Sequence, residues 1–248
     1  MNFLGTLLMV LMWSTAMPAA AIADTPDKPT RVAVYRGPAA CETCPEAAKR
    51  AVENSGRRYQ VDFVGPDEPV DVSNASLARY DVYVQPGGGQ DIQGALDSLG
   101  DDRVGAIRHF VERGGRYVGL CMGAYLADAS GIGLVVQELD SEVGRPGFPV
   151  KTIEDAAVSV RWADKKDKVF YQDGPYLQPQ PLDKRFRAIA TYENGDLAAA
   201  RYSFGKGIVV LSGPHPEAEK SWFEDADIPL ETMPRKNLFK DLLDHLDL

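Results

Sequence analysis

The sequence has few histidines and cysteines, with three of each among its 248 residues. It also lacks a cluster of lysines and arginines, and its formal net charge is −9 at pH 7. An acidic chain without a basic patch does not favour nucleic acid or an anionic membrane surface as a partner. The one Cys-x-x-Cys, at residues 41–44, has no second pair or nearby histidine to complete a zinc ligand set. We therefore expect no metal and no cofactor.

Charged side chains are absent from the first 23 residues. An apolar run there is followed by Ala-Ile-Ala at residues 21–23, the small-residue pattern that precedes signal-peptidase cleavage. This pattern predicts a signal peptide over residues 1–23 and an exported chain, periplasmic or secreted, over residues 24–248. The alternative is a membrane anchor through residues 3–23, but Pro18 interrupts a run shorter than the roughly 20 apolar residues that span a bilayer.

Apolar, β-branched segments alternate with helix-like segments through residue 130. We expect strands over residues 31–35, 59–64, 80–84 and 116–120, and helices over residues 45–54, 101–113 and 123–129. Strands that alternate with helices form a parallel sheet with right-handed crossovers. The first half of the chain therefore predicts a mainly parallel α/β fold with helices on both faces of the sheet.

The second half contains strand-like segments joined by short turns. The strands are expected over residues 157–162, 168–171, 186–192, 197–202 and 207–211. Asn194-Gly195 is a strong hairpin signal between two of them. We expect an antiparallel meander added to the sheet, followed by a last helix over residues 235–247. No linker divides residues 24–248, which we interpret as one domain, and the sequence does not indicate an oligomeric state.

The clearest chemical motif is Gly119-Leu120-Cys121-Met122-Gly123, between a predicted strand and a predicted helix. A sharp turn of this kind exposes a nucleophile at the carboxyl end of a sheet. Glycines on both sides let the neighbouring backbone approach closely. The amino end of the following helix favours a thiolate. Cys121 is thus a candidate nucleophile, although a buried structural cysteine in a tight turn fits the same pattern.

Two further motifs follow predicted strands. Residues 86–89 (PGGG) end the third strand, and such a loop can present an amide to an oxyanion, with the Met122 amide as a second donor. His215, in Gly213-Pro214-His215-Pro216-Glu217, is the one histidine in a rigid loop after a strand, since His109 and His245 lie in predicted helices. Glu217 has the position of the residue that orients the histidine of a triad.

These motifs together resemble the class I glutamine amidotransferase-like superfamily. The more specific resemblance is to the amino-terminal domain family of biotin-protein ligases, which also occurs as a stand-alone exported protein. It covers essentially residues 24–248 and is strongest over residues 80–127. The resemblance implies a flavodoxin-like sheet in which Cys121 is the nucleophile, His215 the base and Glu217 the orienting group. It also implies that the amides of Gly88 and Met122 are the oxyanion donors.

One position departs from the superfamily pattern. Glutamine-hydrolysing members typically have a glutamine four residues after the nucleophile, and here that residue is Tyr125. We therefore do not expect glutamine hydrolysis. Biotin ligation is not implied either, because the ligase chemistry belongs to a different domain. Gly87, Gly89 and Tyr125 are candidate pocket residues around Cys121.

Cys41 and Cys44 follow the first strand and allow three interpretations. A local disulfide would staple the loop, as is usual for close pairs in exported proteins. A redox-active pair at a helix start is the second. In the third, either cysteine forms a mixed disulfide with Cys121 and blocks it.

Three functions follow from these residues. The first is a cysteine hydrolase or amidase that uses Cys121, His215 and Glu217 on an unknown small amide or peptide-like substrate. The second is a binding module for a ligand or partner, with a vestigial triad. The third is a thiol-disulfide oxidoreductase built on Cys41 and Cys44.

Overall fold

The structure is a computed structural model that describes residues 28–248. The predicted signal peptide, residues 1–23, lies outside the described residues. None of the helices within residues 28–248 has both the length and the apolar character that a membrane crossing needs.

The described chain contains eleven strands and six α-helices. The strands are β1 (Thr30–Tyr35), β2 (Tyr59–Val64), β3 (Val82–Gln85), β4 (Arg116–Leu120), β5 (Asp140–Ser141), β6 (Ala156–Trp162), β7 (Lys165–Tyr171), β8 (Pro175–Tyr176), β9 (Arg187–Tyr192), β10 (Leu197–Phe204) and β11 (Gly207–Ser212). The helices are α1 (Cys44–Glu53), α2 (Asn74–Leu77), α3 (Ile92–Glu112), α4 (Met122–Tyr125), α5 (Lys220–Asp225) and α6 (Leu238–Leu243).

Nine of these strands form one sheet in the order β2-β1-β3-β4-β11-β10-β9-β6-β7. The first five strands of that order are parallel to one another. The last four pair antiparallel, beginning where β10 joins β11. The remaining two strands, β5 and β8, form a short separate pair. The structure confirms the predicted fold class: a mainly parallel α/β sheet extended by an antiparallel meander.

Both faces of the sheet are covered, because successive side chains of a strand point to opposite sides. In β1, Ala33 and Tyr35 pack into the core beneath α3, while Val32 and Val34 pack into the core beneath α1 and α6. All four side chains are fully or almost fully buried. A strand buried on both faces reads as a continuous apolar run, as observed for parallel strands in general.

Two predicted helices are shorter than expected. The helix after Cys121 ends at Tyr125, because the Asp128 carboxylate accepts hydrogen bonds from the amides of Ser130 and Gly131 and closes a turn. The last helix begins at Leu238, because the Asn237 side chain caps it by accepting from the Lys240 amide at 2.8 Å. Local side-chain bonds to the backbone compete with helix formation in both cases.

The parallel strands place the predicted site residues at one edge of the sheet. The loop with Cys41 follows β1, the glycine loop follows β3, Cys121 follows β4 and His215 follows β11. Ligand sites of open α/β sheets lie at this carboxyl edge, where the chain crosses to either face. The fold therefore brings together four loops that are distant in sequence.

Candidate active site

Cys121 forms the turn between β4 and α4. Its backbone has φ 49° and ψ −109°, a conformation that residues with a side chain rarely adopt. Its amide donates a hydrogen bond to the Ser212 carbonyl of β11 at 2.8 Å, which fixes the turn to the neighbouring strand. The residue is only 6% exposed. Backbone strain of this kind is characteristic of positions that must hold a functional group in place.

The glycines on either side of Cys121 are required by close backbone contacts. A Cβ on Gly119 would lie 2.4 Å from the Gly123 carbonyl oxygen. A Cβ on Gly123 would lie 2.2 Å from the Gln85 carbonyl oxygen, in the strand that leads to the glycine loop. The elbow can therefore pack against β3 only where these side chains are absent.

Replacing Gly123 with alanine should destabilise the fold by about 1–3 kcal/mol, because the new methyl group overlaps a backbone atom. Gly105→Ala is the matched control. A Cβ there meets nothing within 4 Å, so the substitution should stabilise α3 by about 0.5–1 kcal/mol. Chemical denaturation of the two variants measures both changes. Equal free energies of unfolding for the two variants would contradict the close contact between Gly123 and the Gln85 carbonyl.

His215 is held in a buried position beyond the end of β11. Its amide donates to the Phe170 carbonyl at 2.8 Å, and its ring packs edge-on against Phe170 and Trp222 at 6.0 and 5.2 Å between centroids. His215 Nδ1 lies 2.8 Å from Glu217 Oε1, and both residues are 4% exposed. An imidazole whose Nδ1 is engaged by a carboxylate has a fixed orientation and leaves Nε2 for another partner.

The charges around His215 favour its protonated form. Burial lowers the pKa of His215, but the charges of Glu217 and Cys121 and their side-chain hydrogen bonds outweigh it and raise the pKa to about 10. The His215 imidazole is therefore electrostatically coupled to both Cys121 and Glu217.

Gly87 packs directly against His215 and Cys121. A Cβ on Gly87 would lie 2.6 Å from His215 Cε1 and 3.6 Å from Cys121 Cβ. The imidazole and the carbon that bears the thiol thus contact the same glycine. The structure brings Cys121, His215 and Glu217 together, with Gly87 as the residue that leaves room for them.

The two expected oxyanion donors are also adjacent. A Cβ on Gly88 would lie 2.1 Å from Met122 Cε, so the glycine loop and the start of α4 are in direct contact. Neither the Gly88 nor the Met122 amide donates a hydrogen bond to another atom of the described residues. Free amides beside a nucleophile are the groups that stabilise a developing oxyanion.

A cavity of about 200 Å³ opens at Cys121. Its walls are the glycine loop with Gly88 and Gly89, the α4 residues Met122 and Tyr125, and two segments from the second half of the chain, residues 140–141 and 172–173. Two other clefts, of about 250 and 730 Å³, contain none of the predicted site residues. The cavity at Cys121 is the smallest of these three, so the candidate active site is indicated by the residues that line it and not by cavity volume.

Tyr125 closes one wall of the cavity. Its hydroxyl donates to the Asp173 carbonyl at 3.0 Å. Burial, assisted by the charge of Asp173, raises the pKa of Tyr125 far above its ordinary value, so the phenol stays neutral. The Tyr125 side chain therefore lines the cavity in a position fixed by its hydrogen bond to Asp173.

Residues 140–141 and 172–173 lie within the segment 136–178, which the sequence predicts to shape the pocket without singling out these four residues. Gln172 contributes its carbonyl, which accepts a hydrogen bond from Cys121 Sγ at 3.3 Å. Asp173 and Ser141 are joined by a hydrogen bond of 2.5 Å between their side chains. Residues 140–141 form β5 and residues 172–173 precede β8, and each of these strands is only two residues long. No periodicity marks so short a pair in the sequence.

Cys41 and Cys44 form a disulfide with each other, and Cys121 is a free thiol. The Cys41 amide donates to the Gly87 carbonyl at 3.0 Å. This bond ties the disulfide loop to the glycine loop that borders Cys121. Among residues 28–248, no group of three or more histidine, cysteine, aspartate or glutamate side chains is arranged to hold a metal ion.

Peptide mapping without reduction should find Cys41 linked to Cys44. Cys121 should be recovered as a single alkylated thiol after treatment of the folded protein with iodoacetamide, because it opens into the cavity. The measurement is mass spectrometry of the proteolytic peptides. A Cys121 peptide linked to either of the other cysteines would contradict the pairing in the structure.

Comparison with known proteins supports these assignments of fold. Residues 30–144 match the family described as biotin-protein ligase, N terminal. The matched segment includes the glycine loop and Cys121 and ends before His215 and Glu217. No curated protein matches the sequence.

Solved structures similar to the chain include PurLQS from Thermotoga maritima, with 17% identity and a TM-score of 0.58 over 88% of this chain and 100% of that chain. A glutamine amidotransferase matches with 16% identity and a TM-score of 0.56 over 88% of this chain and 99% of that chain. Identities this low show a common fold and do not transfer a substrate. Residues 30–144 are thus similar to the biotin-protein ligase N-terminal family, and the chain has the fold of class I glutamine amidotransferases.

Proposed function

We propose that this protein is a cysteine amidohydrolase that cleaves a small amide or peptide-like substrate. The observation that carries the proposal is the buried contact of 2.8 Å between His215 Nδ1 and Glu217 Oε1, beside a strained Cys121. A buried carboxylate is costly unless it is paired. Within residues 28–248, Glu217 Oε2 has no hydrogen-bond partner, and the imidazole is the one side chain hydrogen-bonded to this carboxylate. An arrangement that costs stability in this way is expected where it serves catalysis.

The reaction begins when Cys121 Sγ gives its proton to His215 and attacks the amide carbon. The oxygen of the tetrahedral intermediate becomes negative, and the amides of Gly88 and Met122 donate to it. The carbon–nitrogen bond then breaks as the proton of His215 moves to the leaving amine. A thioester to Cys121 remains.

Water completes the cycle. His215, now neutral, takes a proton from a water molecule that attacks the thioester carbon. The carbon–sulfur bond breaks, the carboxylic acid product leaves, and the proton returns to the Cys121–His215 pair. Glu217 stabilises the imidazolium in both halves of the reaction without taking up the proton itself.

Acylation of Cys121 tests this proposal most directly. The protein is incubated with a panel of aminoacyl and peptide amides, and samples are quenched in acid and mapped by mass spectrometry. We expect release of amine and an acyl group on the Cys121 peptide for at least one member of the panel. Amine release without acylation of Cys121 would contradict the mechanism. Neither release nor acylation, together with a thiol no more reactive than a free cysteine, would favour the binding module.

A further inference from the structure

Two carboxylates, those of Asp140 and Asp173, line the cavity at Cys121. The other polar groups of its lining are the Cys121 thiol, amides and hydroxyls. Within residues 28–248 no lysine, arginine or histidine lines this cavity, and the His215 imidazolium lies behind the thiol, paired with Glu217. A cavity whose lining carries charges of one sign favours a ligand of the opposite sign.

Neither carboxylate is neutralised by a neighbour. Asp140 accepts from the Ser141 amide at 2.8 Å, and Asp173 accepts from the Ser141 hydroxyl at 2.5 Å. In the described part of the chain neither forms an ion pair, whereas Arg145 on the same loop pairs with Asp196 at 2.6 Å. Both aspartates therefore keep free lone pairs and an uncompensated charge.

The backbone holds Asp173 in place. Asp173 has φ 47°, and its carbonyl accepts from the Tyr125 hydroxyl. The next carbonyl, that of Gly174, accepts from the Tyr171 hydroxyl at 2.9 Å and from the Glu142 amide at 3.1 Å. A strained residue that several neighbours hold in one conformation is characteristic of ligand sites. Asp173 is thus a fixed part of the cavity wall.

We infer that the substrate is an amide with an ammonium group close to the scissile carbonyl and no free carboxylate there. The inference rests on the proposed function, since it concerns the same cavity. An ammonium donates three hydrogen bonds and matches carboxylate acceptors on Asp140 and Asp173. A free carboxylate would face the same two charges, and the His215 charge, paired with Glu217, does not line the cavity. Free glutamine, which carries both groups, fits this cavity less well than an aminoacyl amide or the amino end of a peptide.

Three chloroacetamides of similar size test the inference. Their nitrogen carries an aminoethyl, a hydroxyethyl or a carboxymethyl group, and each alkylates Cys121 by forming a sulfur–carbon bond with loss of chloride. Each rate is divided by the rate of the same reagent with 2-mercaptoethanol. We expect the cationic reagent to react about tenfold faster than the neutral one, the size of one charged hydrogen bond, and the anionic reagent to be slowest. The preference should decrease as salt is added.

Asp140→Asn and Asp173→Asn keep the size of the side chains and remove their charges. We expect the double variant to lose most of the preference for the cationic reagent, measured as the ratio of its normalised rates with the cationic and the neutral reagent. Asp101→Asn, an exposed position on α3, is the matched control and should keep the preference. The neutral reagent also reports whether the variant is still folded around Cys121.

The outcomes separate the two levels of the proposal. Equal normalised rates for all three reagents at a reactive Cys121 would overturn the inferred substrate class and leave the amidohydrolase intact. A preference that persists in the double variant would overturn the roles of Asp140 and Asp173. A Cys121 that reacts with every reagent no faster than a free thiol would overturn the proposed function and the inference with it.

Discussion

Replacing Cys121 with alanine will lower amide hydrolysis by at least about 10³-fold, because no thioester can form without the sulfur. The substitution removes one buried atom at a position whose φ of 49° is equally unfavourable for alanine and cysteine. We therefore expect the fold to persist. Hydrolysis of the best amide in the panel, measured by amine release, gives the effect, and circular dichroism gives the fold.

Two controls make this result interpretable. Cys121→Ser keeps the shape of the side chain and should be nearly as inactive, since a hydroxyl is a far weaker nucleophile than a thiolate. Reduction of insulin disulfides should be absent from the unsubstituted protein. If that reduction occurs and survives in Cys121→Ala, the activity belongs to Cys41 and Cys44 and the oxidoreductase hypothesis replaces ours.

Replacing His215 with alanine will lower hydrolysis by about 10²–10⁴-fold, the usual contribution of a general acid–base group. The alanine variant loses both the acceptor of the thiol proton and the donor to the leaving amine. His109→Ala is the matched control, because His109 is exposed on α3 and should leave the rate unchanged. A similar loss in both variants would indicate a stability effect unrelated to the site.

Glu217→Gln separates the charge of the carboxylate from its shape. Burial lowers the pKa of His215 and the Glu217 charge works against it, so removal of that charge lowers the pKa of His215. The imidazolium is then lost at a lower pH, and the alkaline limb of the pH–rate profile should move toward neutrality. An unchanged profile would mean that Glu217 only packs against the ring.

The fold was largely predictable from local pattern. The strands over residues 59–64 and 116–120 have the predicted bounds. The first alternates apolar and polar residues at the edge of the sheet, and the second is a buried run in its interior. The elbow and the His215 loop were recognisable because each follows such a strand. Parallel topology then requires them to lie at one edge of the sheet.

The substrate side of the site was not predictable in the same way. Asp140 lies in the two-residue strand β5 and Asp173 in the turn before β8, more than thirty residues away, and the short β5–β8 pair brings them together. Their role depends on charge in a cavity, which no local pattern records. The lengths of the helices after Cys121 and before the carboxyl terminus depended on single side-chain caps, at Asp128 and Asn237, that compete with apolar periodicity.

The pH dependence of Cys121 alkylation, measured with N-hydroxyethyl chloroacetamide, tests the central claim most directly. A free thiol titrates near about 8.5, so its alkylation rises roughly tenfold per pH unit below that value. His215, whose pKa is raised to about 10, stays charged across this range, so its removal should change the alkylation profile of Cys121. We predict that His215→Ala gives the steep profile of a free thiol and slows alkylation at pH 7. Superimposable profiles for the two proteins would show that Cys121 and His215 do not act together, and would contradict the account.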